Sequence, residues 1–374
     1  MKRFTAFFLA LGLALLAGCG VAETPVGGSP LAPTPEPEES AARVMVSFET
    51  VSDTIERDGA VMLTYSYPSA VVSTGTGSGA KVSEAINAAL TPPEDKLASL
   101  AEAAWAEYSA LDEAGRETWP GYGLYYGAEV VRGDAAALCV YCTVSETSGG
   151  VHPNSGAFAL NFDTSRGERL TADMLGADVN ALKAAAAEYI LESAADNPNA
   201  ESFTGLEEFA ASALDGDGWY PGDDGLTVFA DPMEIAPYAV GEIRFTVPYS
   251  ELGALMDARW PPEEAGEANG SLSIGEPSGD ADCSVVIDEG GRAFELTADG
   301  SPGAVRIYRV SMGSDGGTVF GSEALYLSSL EPGERLGVTA AFMDMPLYAV
   351  SCASGFTRLI GDSGKDGSLL LLEP

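Results

Sequence analysis

The amino-acid sequence predicts an α+β fold: an antiparallel sheet with helices packed on one face, followed by an all-β, sandwich-like domain. Three observations lead there. Alternating, β-branched and aromatic runs are separated by turn signals, two stretches between them repeat apolar residues at helical spacing, and the last ninety or so residues carry no convincing helical pattern. With 374 residues and 46% hydrophobic content, the chain can bury the cores of two ordinary domains.

Residues 43–72 read as two strands joined at Arg57-Asp58-Gly59, and STGTGSGAK (73–81) as a flexible loop. Ile86, Leu90, Leu97, Leu100, Ala104 and Leu111 then recur at helical spacing, and Pro92-Pro93 divides the stretch into two helices. Residues 123–149 form a hairpin around Arg132-Gly133-Asp134, and GAFALNFD is a further strand closed by a turn at Ser165-Arg166-Gly167. Asp178 can cap a helix that places Leu182, Ala186, Tyr189 and Ile190 on one face, and a shorter helix covers Leu206–Leu214. Residues 226–252 supply two strands around a Pro-rich bend, 263–282 a linker, and 283–374 a series of short strands punctuated by Gly, Asp and Pro. The expected organisation is a leader at 1–18, a tether at 19–42, an α+β domain at 43–262 with halves at 43–115 and 116–262, the linker, and the β domain at 283–374.

The leader has Lys2 and Arg3, an apolar run from Phe7 to Leu16, and then small residues, the layout of an export signal too short for a good membrane span. Its end, Leu16-Ala17-Gly18-Cys19, resembles the lipobox of bacterial lipoproteins. The resemblance implies that Cys19 is lipidated and that the protein is extracytoplasmic, held at the membrane by that lipid alone. The Pro-, Gly-, Ser- and Glu-rich residues up to 42 cannot bury a core and read as a tether.

Acidic residues number 56 against 19 basic, a net charge of −37, which becomes −39 when Lys2 and Arg3 leave with the leader. No basic patch exists to neutralise phosphates, so nucleic acid and anionic headgroups are excluded as partners, while a cationic protein is admitted.

Three stretches carry a resemblance: ETSGGVHPN (146–154), FALNFDTSRGERLTADML (158–175) and LTVFADPMEIAPYAVGEIRFTVPYSEL (226–252). Together they resemble the exported domain of the lysozyme-sensing anti-sigma factor family (RsiV-like). Tyr65–Leu90, ending in EAINAAL, is similar to the N-terminal domain that also precedes some peptidoglycan deacetylases. The resemblance spans about residues 44–256. It implies a mixed α+β fold used for binding at the cell envelope, with no reaction attached. These 374 residues contain neither a transmembrane helix with a cytoplasmic sigma-binding segment nor a deacetylase catalytic domain, so neither activity is expected. Met233 stands where family members often carry an aromatic residue.

The only histidine, His152, has no second histidine to share a metal and no positioned nucleophile to activate. Gly149-Gly150 permits unusual backbone angles, Pro153 holds His152 extended and Asn154 closes a turn, so the stretch reads as a shaped loop that also offers a partner contact. Candidate ligand-binding residues are His152, Asn154, Tyr122, Tyr125, Trp219, Tyr220 and Tyr238; Trp119 and Tyr126 extend the same aromatic set. Asp215, Asp217 and Asp223 are dense enough to raise calcium. The loop template fails, however, because Trp219 takes the third ligand position and no Glu closes it, so a solvated turn is expected and no metal.

Cys139 and Cys142 form a CxxC inside a strand pattern, where neither a redox pair nor a zinc site is favoured, and buried free thiols are expected. Cys283 and Cys352 lie near the ends of the last segment and offer a disulfide. The Gly-rich GTGSGAK (75–81) and GDSGKDG (361–367) read as turns. No cofactor and no catalytic residue is implied. The expected function is capture of a protein or cell-envelope glycan, with a cationic muramidase as the sharpest candidate. The alternatives are a cell-wall hydrolase using acidic residues and a structural or adhesive surface protein.

Overall fold

The structure, a computed structural model, describes residues 43–263, 267–313, 317–342, 347–362 and 368–374. The leader, Cys19, the tether and most of GDSGKDG lie outside the described residues. Among the described residues no helix is long and apolar enough to cross a membrane.

β1 (Val44–Arg57) and β2 (Ala60–Thr74) form a long hairpin turning at Asp58-Gly59. α1 (Gly79–Leu90) buries Val82, Ile86 and Leu90, one face at i, i+4 and i+8, and stops before Pro92-Pro93. Its start, Gly79, lies directly on β2: a Cβ there would sit 2.3 Å from the Val72 carbonyl oxygen, so only glycine permits this approach. Asn87 and Ser83 of α1 bond to the backbone of Ala70 and Val72, supplying partners that a neighbouring strand would otherwise supply. α2 (Glu94–Ala110) and the single turn α3 (Glu113–Glu117), capped by Asp112, follow.

β3 (Tyr122–Gly133), β4 (Ala137–Thr147), β5 (Asn154–Asp163) and the short β6 (Glu168–Arg169) form an antiparallel meander, and β3 joins β2 in parallel. α4 (Val179–Ala194) begins where the Asp178 carboxylate accepts from the Ala181 N–H at 3.0 Å. It is followed by α5 (Leu206–Ser212), a three-stranded sheet of β7 (Trp219–Pro221), β8 (Gly225–Ala230) and β9 (Ile243–Pro248), and the turn α6 (Tyr249–Leu252).

The remaining strands are β10 (Ser271–Gly275), β11 (Cys283–Val286), β12 (Arg292–Asp299), β13 (Gly303–Met312), β14 (Thr318–Leu330), β15 (Arg335–Ala340), β16 (Tyr348–Cys352), β17 (Thr357–Asp362) and β18 (Leu369–Leu372). β10, β12, β15 and β11 make a four-stranded sheet. The others join an eleven-stranded sheet in the order β18-β17-β16-β13-β14-β1-β2-β3-β4-β5-β6. The two sheets enclose a core of Leu272, Phe294 and Leu296 against Ile307, Leu327 and Val350, the sandwich expected for this end of the chain.

The α+β class and its large antiparallel sheet match the expectation from sequence, and three details differ. Helices lie on both faces of the sheet: successive β4 residues point to opposite faces, with Leu138, Val140 and Cys142 packing on α1 while Cys139 and Tyr141 pack with α4, α5 and the small sheet. The stretch expected as a linker contains β10, paired along β12. The C-terminal strands continue the main sheet, because β14 pairs with β1 at Met45–Ser47. Such pairing between distant segments leaves no local periodic signal.

Candidate binding site

The β4–β5 connection carries His152 between two anchors. On one side Gly149, at φ +81°, lies so close to α2 that a Cβ would meet Glu107 Oε2 at 2.7 Å. Glu107 in turn accepts from the Tyr122 hydroxyl at 2.7 Å. That hydrogen bond, with burial and the negative charge, pushes the Tyr122 hydroxyl up to about 12. On the other side the exposed His152 ring lies over Tyr238, centroids 4.9 Å apart and planes 31° apart, and the Tyr238 hydroxyl donates to the Pro153 carbonyl at 3.4 Å. Val151, between the anchors, is 95% exposed. Asn154 pairs across from Glu146, whose carboxylate meets Lys96 at 2.6 Å.

The segment that holds Tyr238 grips β5 a second time. Asp231 Oδ1 accepts from the Ala157 N–H at 2.7 Å, so residues 153 and 157 are both tied to it. Asp231-Pro232-Met233-Glu234 is a tight turn in which Glu234 N–H donates to the Asp231 carbonyl at 3.0 Å and Asp231 N–H to Glu234 Oε2 at 2.9 Å. Pro232 suits its second position, whereas Met233 takes a φ of +75° at the third, a left-handed conformation normally given to Gly or Asn. Met233 is nonetheless 72% exposed.

Beside this turn lies a cleft of about 220 Å³, walled by Phe209, Ala213, Val228 and Phe229 and edged by Ser212, Asp215, Asp231 and Glu234. Asp215 is paired with Lys183. Asp231 and Glu234 have no cationic partner among the described residues, and burial raises the Asp231 carboxyl above its ordinary range.

The residues expected to bind are only partly brought together. His152, Asn154 and Tyr238 share one edge. Tyr122 is buried beneath it and ends a series of tilted and edge-to-face rings, Trp105–Tyr108–Trp119–Tyr122, at centroid spacings of 5.9, 5.8 and 5.9 Å, with Arg57 4.3 Å over Trp105. Tyr125 is 41% exposed, and as an odd residue of β3 it points to the face opposite Tyr122. Trp219 and Tyr220 are corrected from surface to core. Both are buried, Trp219 donating to the Gly216 carbonyl at 3.1 Å and Tyr220 packing on Tyr141 and Phe229, because the small sheet is covered on both faces.

Asp215, Asp217 and Asp223 diverge. Asp215 pairs with Lys183 and Asp217 with Arg169, while Asp223 lies in the field of Arg132 and Asp134. No cluster of three metal-ligating side chains occurs among the described residues. Cys283 and Cys352, offered as a bridge, are both free thiols. Cys283 lies on β11 of the four-stranded sheet and Cys352 on β16 of the main sheet. Cys139 and Cys142 are buried free thiols on opposite faces of β4, and burial pushes Cys139 up to about 12.

Glu107, Trp105, Tyr108, Asp231 and Glu234 were not singled out from sequence. For Asp231 a signal existed, since Asp-Pro favours turn initiation. Nothing local distinguishes Glu107 from the other glutamates of α2.

A family model described as "Protein of unknown function (DUF3298)" matches residues 171–250. A DUF3298 domain therefore covers α4, α5, the three-stranded sheet and most of the cleft. Two crystal structures of DUF3298 family proteins are similar. One from Bacteroides fragilis NCTC 9343 is 18% identical over 57% of this chain and 94% of its own, with a TM-score of 0.39. One from Pseudomonas aeruginosa PAO1 is 14% identical over 59% of this chain and 97% of its own, with a TM-score of 0.38. No curated protein matches the sequence.

Proposed function

We propose that this chain is a lipid-anchored, extracytoplasmic binding protein that captures a cationic protein of the cell envelope, with a lysozyme-like muramidase as the leading candidate. The observation that carries the reading is the His152–Tyr238 stack. It is a partly exposed aromatic pair, tied at Pro153 by the Tyr238 hydroxyl and preceded by the close approach of Gly149 to Glu107, with the exposed Val151 next to it in the chain. Rigid, half-exposed aromatic groups give contact area at low entropic cost. The net charge of −37 supports the choice of partner, because it speeds encounter with a cation and opposes an anion. The sequence resemblance to lysozyme-sensing proteins over residues 146–175 and 226–252 supports the same choice.

The test is a titration of the chain with lysozymes of several classes at low and high salt. Saturable binding that weakens as salt rises is expected. Failure to bind any of them at low salt overturns the reading.

A further inference from the structure

The cleft behind the Asp231 turn has features that the aromatic edge does not use. Its lining is mixed, with Phe209 of α5 and Phe229 of β8 on the apolar side and Ser212, Asp231 and Glu234 on the polar side. At its edge stands the half-buried Asp231, already desolvated, anchored by the Ala157 N–H and facing no cation, with Glu234 beside it. Drug-sized ligands fill pockets of ~300–1,000 Å³; at about 220 Å³ this one suits a single side chain. Two phenylalanine rings beside a carboxylate with no counter-ion among the described residues match a side chain with a long aliphatic stem and a cationic head.

We infer that this cleft receives one lysine or arginine side chain of the partner polypeptide, its stem against Phe209 and Phe229 and its charged group at Asp231 and Glu234. The inference rests on the proposed capture of a cationic protein and specifies where its anchor enters. The half-buried Asp231 carboxylate gains a counter-ion only in the complex, so one partner residue there carries a disproportionate share of the affinity. Asp215, held by Lys183, stays outside the contact and keeps the α4–α5 side of the cleft fixed.

The experiment titrates the isotope-labelled full chain with Nα-acetyl-lysine methylamide and follows the Ala157 amide, whose N–H is bonded to Asp231 at 2.7 Å. A saturable shift is expected with this probe. No shift is expected with the Nζ-acetylated, neutral analogue, and at least a tenfold weaker response is expected in D231N, whose amide oxygen can still accept from Ala157. The second variant, S212W, fills the cleft mouth from an exposed position on α5 and leaves the core untouched, and it gives the same loss. No saturable shift, or an equal shift with the neutral analogue, overturns the inference. The lysozyme panel separates the two proposals. If no lysozyme binds while the lysine probe saturates, the cleft stands and the partner is wrong. If a lysozyme binds the parent, D231N and S212W equally, the partner stands and the cleft is wrong.

Discussion

Glu323 of β14 accepts a hydrogen bond from the backbone N–H of Val130 on β3 at 2.8 Å, joining two strands far apart in the chain by a side chain rather than a ladder. The carboxylate also meets Arg306 at 2.6 Å and is fully buried. Burial outweighs both favourable partners and pushes its carboxyl up to about 7.

Stability should therefore depend on pH in a way E323Q removes. The folded-state value lies above the unfolded one, so this group's contribution is complete below about 4.5 and is lost as pH rises through about 7. Chemical denaturation of the parent and E323Q at pH 5 and pH 8 checks it. The parent is expected to lose on the order of 1–3 kcal/mol more than the variant between those values.

H152A is expected to fold normally and to weaken partner binding by about tenfold, or ~1.4 kcal/mol. The ring is exposed and lies against Tyr238, so its loss leaves no cavity. Isothermal titration against the best-binding lysozyme measures the first effect and a thermal melt the second.

Trp219 and Tyr125 should behave oppositely. W219A empties a fully buried site and is expected to cost ~3–5 kcal/mol, whereas Y125A, at a partly exposed site, is expected to change stability by under ~1 kcal/mol. Urea midpoints of the two variants decide whether Trp219 belongs to the core.

M233N is expected to raise stability by about 0.5–1 kcal/mol, because Asn tolerates the left-handed backbone that Met adopts at φ +75°. If Met233 also contacts the partner, the same variant weakens binding. Stability and affinity then move in opposite directions, which parallel denaturation and titration would read.

Cys139, Cys142, Cys283 and Cys352 should all titrate as thiols when the chain is denatured without reductant. A loss of two thiols restored by reductant, mapped to Cys283 and Cys352 by a disulfide-linked peptide, would show that these two pair after all.

Much of the fold was legible because local patterns specify it. Pro92-Pro93 parts the two helices, Asp178 starts α4, and the Arg57-Asp58-Gly59 and Ser165-Arg166-Gly167 turns fall where strands end. Trp219 and Tyr220 were misplaced because adjacent residues in a strand normally alternate between core and surface, and only a strand covered on both faces hides both. The β1–β14 pairing and the position of Glu107 beneath the His152 loop depend on segments remote in sequence, and no window of residues contains them.

That pairing also sets the order in which the molecule can be completed. Val44 N–H donates to Ser328 Oγ across 284 residues, and among the described residues β14 alone pairs with that edge of β1. Until nearly the whole polypeptide has been delivered, the middle of the main sheet is an open, apolar edge able to pair with another chain. Folding therefore has a long-range closing step, slow by topology, and a fragment ending near residue 262 would aggregate rather than stand as a smaller version of the protein.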